Sequence, residues 1–391
     1  MRKVVRGFYA IAEAVRLSKP NVIAAYPITP QTEIVENLAE MYANGELGDV
    51  EYVTAESEFG AASMVLGASA AGARAFTATS SQGLLLMTEV LYNAAGMRLP
   101  IVLVVANRSV SAPLSIWNDI QDSISIRDAG IIQLYVESNQ EAHDMVPLAF
   151  KVAENKGVLL PFMICVDGFK LTHAYEPIDL LEQEIVDKFL PPYKPVVKLD
   201  VNNPVAMGCY APPPYYMEFR VAMEYAMERA RKVMIDEFES WYELTGRNWG
   251  GHVVAESCED AEVAVVAMGS VVPLVREVVN RMRQDGKKVG LLKVRTYRPF
   301  PSEEVRKALE NAKKIIVIER ALSIGAEPPV TADVKSALFG IDAEVYPVVM
   351  GLGGRDIPRE LVEKVIDDVM YGKVKPEKRF ESLNEFEEVI P

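Results

Sequence analysis

The stretch Val22-Ile-Ala-Ala-Tyr-Pro-Ile-Thr29, followed by Pro30, is an apolar strand pattern that ends abruptly in a polar turn. Pro27 and Pro30 have no backbone N–H and hold φ at about −65°, so they end the strand and stiffen the turn. Between them, Thr29 places a hydroxyl at the carboxyl end of the strand. Ligands of open α/β sheets bind at that edge, and the turn is therefore the first indication of an active site.

Strand and helix patterns alternate through the first half of the chain. The run Ile101-Val-Leu-Val-Val105 is apolar on both faces, as expected of a buried parallel strand. The alternation predicts a parallel sheet with helices on both faces. Strands are predicted over residues 22–26, 51–55, 75–79, 101–106, 131–136 and 161–166, and helices over 7–18, 31–44, 58–72, 83–96 and 140–155.

The second half of the chain predicts a wrapping segment, a long helix and a further α/β unit. Prolines cluster in residues 176–216, which predicts an irregular wrapping segment, and residues 217–242 have the spacing of a long helix. We expect two domains, residues 1–250 and 251–391, with a charged, peripheral end over 372–391. In the second domain a strand is predicted from Ala264 to Gly269-Ser270, with a helix after it. Further strands are predicted over 289–294, 314–318 and 343–349, and further helices over 302–311 and about 327–338.

The composition of the 391-residue chain is that of a soluble globular protein, with 50% hydrophobic and 25% charged residues. Its formal net charge is −14, and no Lys/Arg cluster is interleaved with aromatic residues, so nucleic acid is not expected as a partner. The first residues lack the apolar stretch of a signal peptide, and the apolar residues 59–73 are too short to span a bilayer. We expect a cytoplasmic protein with no membrane partner.

The cysteines and histidines show no metal-binding pattern. Cys165, Cys209 and Cys258 are far apart and form no CxxC motif, so neither a disulfide framework nor a cysteine-held cluster is expected. The three histidines have no ligand spacing with each other or with the cysteines. Asp119 and Asp122 are interpreted as a solvated helix start. The sequence therefore predicts no metal site within this chain.

Three polar side chains at predicted strand ends are candidates for chemistry: Thr29, Glu58 and Arg108. Glu58 precedes a helix rich in Gly and Ala, where a carboxylate is favoured by the positive helix end, and its alternative role is a helix cap. The Arg108 guanidinium suits bidentate recognition of a carboxylate, and its alternative is an internal ion pair with Asp119 or Asp122. The Thr29 hydroxyl could also simply cap the turn.

Nine stretches together give the chain a resemblance to the α subunit of the multisubunit 2-oxoacid:ferredoxin oxidoreductases, the pyruvate:ferredoxin oxidoreductases in particular. The match covers nearly the whole chain and is highly specific when the stretches are taken jointly. They are Tyr26-Pro-Ile-Thr-Pro30, Glu56-Ser-Glu58, Gly67-Ala-Ser-Ala-Ala-Gly-Ala73, Phe76-Thr-Ala-Thr-Ser80 running into Gln82-Gly-Leu84, Arg98-Leu-Pro-Ile101, Asn107-Arg108, Asn139-Gln-Glu-Ala142, Tyr297-Arg-Pro-Phe-Pro301 and Gly351-Leu-Gly-Gly-Arg355.

The resemblance implies an α/β fold in which a pyrimidine-type, thiamine diphosphate-binding parallel-sheet domain precedes a domain like the transketolase C-terminal domain. It implies oxidative decarboxylation of pyruvate with coenzyme A, giving acetyl-CoA, carbon dioxide and reduced ferredoxin. Glu58 matches the glutamate that hydrogen-bonds the aminopyrimidine N1′ of the cofactor. Arg108 matches the arginine that binds the substrate carboxylate, and Thr29 matches the threonine that hydrogen-bonds the substrate.

In that family the rest of the machinery lies on other subunits. The resemblance implies a β subunit with the diphosphate and Mg²⁺ site, and γ and δ subunits that are ferredoxin-like and carry iron–sulfur clusters. This chain agrees with that division, because it has no CxxC and no GDG followed by a downstream Asn. Ferredoxin is expected to dock on another subunit, since ferredoxins are commonly acidic and like charges repel.

Three alternatives stay open at this stage. A branched-chain 2-oxoacid enzyme, acting on 2-oxoisovalerate, would use the same residues, because Arg108 would bind the carboxylate that all 2-oxoacids share. A non-catalytic scaffold subunit could keep the fold without the activity. A non-redox thiamine enzyme such as an acetohydroxyacid synthase would usually carry both cofactor half-sites in one chain, which this chain does not.

Overall fold

The structure is a computed structural model that describes residues 2–383. The chain divides into two compact units. Of the described residues, the first contains 2–252 together with Arg295–Pro301, and the second contains Val253–Val294 and 302–383.

The helices and strands are numbered here in chain order. Up to the long helix they are β1 Arg2–Arg6, α1 Gly7–Leu17, β2 Val22–Ala25, α2 Thr32–Ala43, β3 Glu51–Thr54, α3 Glu58–Ala70, β4 Ala75–Thr79, α4 Ser81–Gly96, β5 Val102–Asn107, α5 Gln121–Ser125, β6 Ile132–Tyr135, α6 Asn139–Ala153, β7 Phe162–Asp167, β8 Tyr175–Asp179, α7 Gln183–Phe189 and α8 Pro213–Thr245. They continue with β9 Val253–Glu256, β10 Val263–Ala267, α9 Val272–Gln284, β11 Val289–Val294, β12 Thr296–Arg298, α10 Ser302–Leu309, β13 Lys314–Glu319, α11 Pro329–Ala337, β14 Glu344–Val349, α12 Arg359–Met370 and β15 Arg379–Phe380.

The first unit is built on a seven-stranded sheet in the order β12-β6-β7-β5-β4-β2-β3. The pairs from β6 to β3 are parallel, and only β12 runs antiparallel to its neighbour. β4, β5 and β7 are buried along their whole lengths, as the continuous apolar run 101–105 predicts for β5. The predicted parallel sheet is confirmed, and the carboxyl ends of β2, β4 and β5 lie side by side.

Helix α8 covers residues 213–245 and so extends beyond the predicted 217–242 at both ends. Its buried residues recur at helical spacing: Met223, Ala226, Ala230, Met234, Phe238 and Trp241. Prolines are accepted in the first turn because the N–H groups there have no intrahelical partner. Gly246 ends the helix with a left-handed φ of 72°, which glycine adopts without a steric cost.

The proline-rich segment is anchored to the first unit by a buried arginine. Arg74 donates two hydrogen bonds of 2.7 Å to the carboxylate of Glu154, and further ones to the backbone oxygens of Ser18 and Pro191. The predicted irregular segment 176–216 starts with β8, which pairs with β1, and then contains α7. Only the residues from about 190 to 212 follow the predicted irregular course.

Residues 295–301 lie in the first unit although they follow β11 of the second. The Arg295 guanidinium forms a buried ion pair with Glu141 and lies 5.5 Å from the ring centre of Phe238. β12 follows directly and pairs with β6. The ion pair and the strand pairing together fix this short return of the chain.

The second unit contains a six-stranded sheet in the order β15-β14-β13-β10-β11-β9. All its pairs are parallel except that between β9 and β11. Helix α12 was not predicted, although its apolar residues recur at helical spacing and pack into the core of this unit. Within the segment predicted to be peripheral, β15 pairs with β14, and residues 384–391 lie outside the described residues. None of the helices described in 2–383 is both long and apolar enough to span a membrane.

Candidate active site

Polar side chains gather where β2, β4 and β5 end, at one edge of the first sheet. The turn 26–30 follows β2, α4 begins two residues after β4, and Arg108 follows β5 directly. Because these three strands are parallel neighbours, the prediction that their ends meet is confirmed. This edge is where parallel α/β sheets bind ligands.

Arg108 and Thr29 are brought into direct contact. The Arg108 side chain is buried, and its Nη1 donates to the backbone oxygen of Thr29 at 2.8 Å while its Nε donates to that of Ser115 at 3.1 Å. Burial lowers the pKa of the guanidinium somewhat, and the charge of Asp122 opposes this shift. Within residues 2–383 the guanidinium forms no ion pair, so the alternative pair with Asp119 or Asp122 is not formed. Its Nη2 can therefore still donate to a carboxylate ligand.

The proline-framed turn is held by close packing. A Cβ on Gly168 would stand 2.4 Å from Cγ of Pro30 and 2.7 Å from the backbone oxygen of Asn107, so only glycine fits beneath this proline. Gln31 accepts a hydrogen bond from the backbone N–H of Ile28. The Thr29 side chain is exposed, and within the described residues its hydroxyl has no hydrogen-bond partner, so it does not cap the turn.

Glu58 is the first residue of α3 but not its cap. The capping residue is Ser57, whose hydroxyl accepts a 3.1 Å hydrogen bond from the backbone N–H of Gly60. Glu58 is only 7% exposed, and its carboxylate has no hydrogen-bond or ion-pair partner among the described residues. The alternative role as a cap therefore falls to Ser57, and Glu58 remains available to a ligand.

Gly83 and Thr79 complete the surroundings of Glu58, and sequence reasoning missed both. A Cβ on Gly83 would stand 2.7 Å from Oε1 of Glu58 and 2.6 Å from Oγ1 of Thr79, so both side chains close over this glycine. Oγ1 of Thr79 is buried without a partner in the described part of the chain. Buried polar groups are normally hydrogen-bonded, so an unpartnered hydroxyl and an unpartnered carboxylate that both approach Gly83 indicate a polar ligand. The Ser-Ser-Gln-Gly run that follows β4 was the available signal.

Asp122 lies near this edge of the sheet, and its burial contradicts the interpretation drawn from the sequence. The sequence suggested a solvated helix start, whereas Asp122 is completely buried within α5. Four N–H groups donate to its carboxylate, and burial raises its pKa to about 7 despite them. The hydrophobic Ile120 and Ile124 on either side of it make α5 a buried turn.

Metal ligands are not clustered in the described part of the chain. No group of three or more His, Cys, Asp or Glu residues in 2–383 could hold a metal ion. Cys165 and Cys258 are buried and Cys209 is exposed, and all three are free thiols. Burial raises the pKa of Cys258 to about 11, which keeps this thiol protonated and unreactive at neutral pH.

Comparison with known proteins identifies the class of this fold and site. Residues 13–239, more than half of the chain, match the family model described as "Pyruvate flavodoxin/ferredoxin oxidoreductase, thiamine diP-bdg", which makes the first unit a thiamine diphosphate-binding domain. Residues 261–362 match "Pyruvate:ferredoxin oxidoreductase core domain II". The chain therefore belongs to the pyruvate:ferredoxin oxidoreductase family and is a subunit of an oxidoreductase that acts on 2-oxoacids.

Curated relatives of two names match nearly the whole chain. Pyruvate synthase subunit PorA of Methanothermobacter thermautotrophicus is 51% identical, over 93% of this chain and 94% of the relative. Ketoisovalerate oxidoreductase subunit VorA of Pyrococcus horikoshii is 45% identical, over 94% of each. The family is thus shared by enzymes named for two different 2-oxoacids.

Solved structures confirm the fold. A 2-oxoglutarate:ferredoxin oxidoreductase from Magnetococcus marinus matches 94% of this chain with a TM-score of 0.69 at 21% identity, and the chain spans 65% of that longer chain. A split-gene transketolase, described as an inactive β4 tetramer, matches 93% of this chain and 98% of its own with a TM-score of 0.55 at 11% identity. The predicted fold class, a pyrimidine-type domain followed by a transketolase-like α/β domain, is confirmed.

Proposed function

We propose that this chain is the α subunit of a pyruvate:ferredoxin oxidoreductase, which oxidatively decarboxylates pyruvate with coenzyme A to acetyl-CoA and carbon dioxide and reduces ferredoxin. The observation that carries the proposal is the buried Glu58 carboxylate, which has no partner among residues 2–383 and lies over Gly83. Arg108 and Thr29, which can donate hydrogen bonds to a substrate, lie at the same edge of the sheet. The family match and the 51% identical pyruvate synthase subunit support the same reaction.

Glu58 and Thr79 fit the edge of the cofactor. An aminopyrimidine has a ring nitrogen and an exocyclic amine, which can bond a carboxylic acid and a hydroxyl, and these are the two groups that meet over Gly83. When bound, thiamine diphosphate supplies the carbon nucleophile and the electron sink for decarboxylation. Glu58 holds or gives up a proton at the ring nitrogen N1′, which is the catalytic role we assign to it.

Arg108 and Thr29 bind the substrate in this proposal. The guanidinium, buried and without a paired carboxylate among the described residues, binds the carboxylate of the 2-oxoacid, and a charge-assisted hydrogen bond in such a setting is strong. The exposed hydroxyl of Thr29 donates to the same substrate. Because Arg108 itself donates to the backbone of Thr29 at 2.8 Å, the two groups hold a fixed spacing.

The remaining parts of the site are assigned to partner subunits. The described residues hold no metal-ligand cluster, so we propose that a β subunit supplies the diphosphate and Mg²⁺ site and that γ and δ subunits carry the iron–sulfur clusters. The net charge of −14 disfavours docking of an acidic ferredoxin on this chain, and we place that contact on a cluster-bearing subunit. We also propose that residues 1–250 and 251–391 act as the two functional domains and that the complex is cytoplasmic.

The test is reconstitution of the complex with its co-encoded subunits, with coenzyme A and a viologen dye as electron acceptor. We expect pyruvate-dependent dye reduction. Arg108→Lys keeps the charge but loses the bidentate fork, and should raise the KM for pyruvate by roughly tenfold to a hundredfold with a smaller change in kcat. A wild-type complex that binds thiamine diphosphate but reduces no dye with any 2-oxoacid would support the scaffold alternative instead.

A branched-chain substrate is the second candidate, favoured by the 45% identical VorA subunit. Since Arg108 binds only the shared carboxylate, the side-chain pocket decides between the two acids. The decisive comparison is kcat/KM for pyruvate against 2-oxoisovalerate on the same complex. A ratio above about ten in favour of 2-oxoisovalerate would replace the first assignment with the second.

A further inference from the structure

One carboxylate ties together the strand ends that carry the site. Oδ2 of Asp122 accepts the backbone N–H groups of Ser81 and Arg108, both at 3.0 Å. Oδ1 accepts the side-chain amide of Asn107 and the backbone N–H of Ser123, both at 2.8 Å. Ser81 begins α4 after β4, whereas Asn107 ends β5 and Arg108 follows it, so a single side chain links the ends of two neighbouring strands.

The link reaches each of the three residues assigned to catalysis. Arg108 is held at its backbone by Asp122 and touches Thr29 with its guanidinium. On the other side, Asp122 holds Ser81, the first residue of α4, and Gly83, two residues further, is the surface on which Glu58 rests. A shift of Asp122 would therefore displace Arg108, which binds the substrate, and Gly83, against which Glu58 packs.

The free-energy cost of burying the Asp122 carboxylate indicates that this residue does more than stabilise the fold. Asp122 is fully buried, and no Lys, Arg or His side chain in the described residues contacts its carboxylate. Burying an unpaired carboxylate is expensive, and here only N–H donors offset that cost. Ser81 is also held with a positive φ of 47°, a conformation that non-glycine residues adopt rarely. Such features persist where the surrounding structure enforces a required geometry.

We propose that Asp122 is a positioning residue, whose carboxylate holds the backbone of Arg108 and the start of α4 in the geometry that binds the 2-oxoacid. This inference rests on the function proposed above. All four donors are N–H groups, so a carboxylate is required and an amide does not suffice. An Asn in this place would set its NH₂ group against two of the N–H donors.

The test compares Asp122→Asn with Ser123→Ala in the reconstituted complex. Ser123 is equally buried, and its hydroxyl contacts Asn107 and Tyr135 at 2.7 and 2.8 Å, but not Ser81 or Arg108. Both variants lose buried hydrogen bonds, so both should unfold at a lower temperature. Asp122→Asn should raise the KM for the 2-oxoacid by about tenfold or more, while Ser123→Ala should leave that KM within about twofold.

Hydrogen exchange gives a readout that does not depend on turnover. The amides of Ser81 and Arg108 should exchange slowly in the wild-type complex and much faster in Asp122→Asn, with little change in Ser123→Ala. Fast exchange of these amides in the wild type overturns the proposal even if the variant fails to assemble. Equal KM values for the two variants overturn the proposal as well. A wild-type complex that is inactive with every 2-oxoacid refutes the proposed function instead, and in that case the hydrogen-exchange result alone tests whether Asp122 holds these two amides.

Discussion

The two ends of β4 differ in whether their buried polar groups are hydrogen-bonded. At the amino end, each nitrogen of the Arg74 guanidinium donates a hydrogen bond, two of them to Glu154, and both side chains are buried. At the carboxyl end, Glu58 and Oγ1 of Thr79 are buried with no partner in residues 2–383. The same strand thus ends once in a satisfied network and once in groups that need a ligand. The difference separates residues that stabilise this fold from residues that serve its chemistry.

The largest effect is expected at the satisfied end. Arg74→Ala would leave the Glu154 carboxylate buried without its cation, and burial already raises the pKa of Glu154. We expect a loss of about 3–5 kcal/mol in the free energy of unfolding, measured by denaturant titration. Replacing both residues, Arg74→Met with Glu154→Leu, should recover most of it, because the pair is then removed as a whole. Turnover per assembled complex should stay within about twofold of the wild-type value. A large loss of turnover would contradict the view that Arg74 and Glu154 serve stability and not the reaction.

At the carboxyl end of β4 we expect the opposite result, a large loss of activity with little loss of stability. Glu58→Gln keeps the shape of the side chain and removes the acid, so pyruvate-dependent dye reduction should fall by at least about a hundredfold. Stability should change by less than about 1 kcal/mol, because Glu58 has no described partner to lose. Binding of thiamine diphosphate, followed by calorimetry, should weaken in parallel. Activity close to that of the wild type would contradict the role assigned to Glu58.

A smaller loss of activity should follow from filling the space under Glu58. Gly83→Ala would bring a Cβ within 2.7 Å of Oε1 of Glu58, so the carboxylate must move. We expect a loss of about tenfold in kcat/KM. Gly96→Ala is the matched control in the same helix, since no neighbouring group lies within 4 Å of the place that its Cβ would take. If both variants lose activity equally, the cause is the helix and not the contact with Glu58.

The smallest effect concerns acid stability at another fully satisfied group. Nδ1 of buried His143 donates to the backbone oxygen of Ala10, and its Nε2 accepts the backbone N–H of Leu181. These two hydrogen bonds require the neutral imidazole, and burial lowers the pKa of this histidine to about 4. The unfolded chain binds a proton near its ordinary value of about 6.5, so this group's contribution is complete above that pH and declines as the pH falls towards 4.

A variant that cannot titrate isolates this contribution from that of the buried carboxylates. Between pH 7 and pH 5.5 the wild type should lose about 1 kcal/mol of stability that His143→Gln does not lose. The measurement is denaturant unfolding of both proteins at the two pH values. Equal pH dependence of the two proteins would show that His143 is not held neutral by its two backbone partners.

Much of the fold could be predicted because its signals are local. The apolar run 101–105 and the alternation around it identify a parallel sheet, and the strand ends place Thr29, Glu58 and Arg108 at one edge. Helix α12 has the same kind of local signal, because its apolar residues recur at helical spacing, and it was missed. The return of residues 295–301 to the first sheet could not be found in this way. The pairing of β12 with β6 and the Arg295–Glu141 ion pair join residues more than 150 positions apart in the chain. Local periodicity contains no information about such partners.

The sequence by itself determined the strand-and-turn pattern, the family and the three polar residues at the sheet edge, because each depends on residue types close together in the chain. Only the tertiary structure decided which of these residues are satisfied. Ser57 took the capping role considered for Glu58, the pairing considered for Arg108 became a hydrogen bond from its backbone, and a buried Asp122 replaced a solvated one. The proline-framed turn at residues 26–30 shows the physical reason: whether a polar group keeps free hydrogen-bonding capacity depends on neighbours that folding brings from elsewhere in the chain.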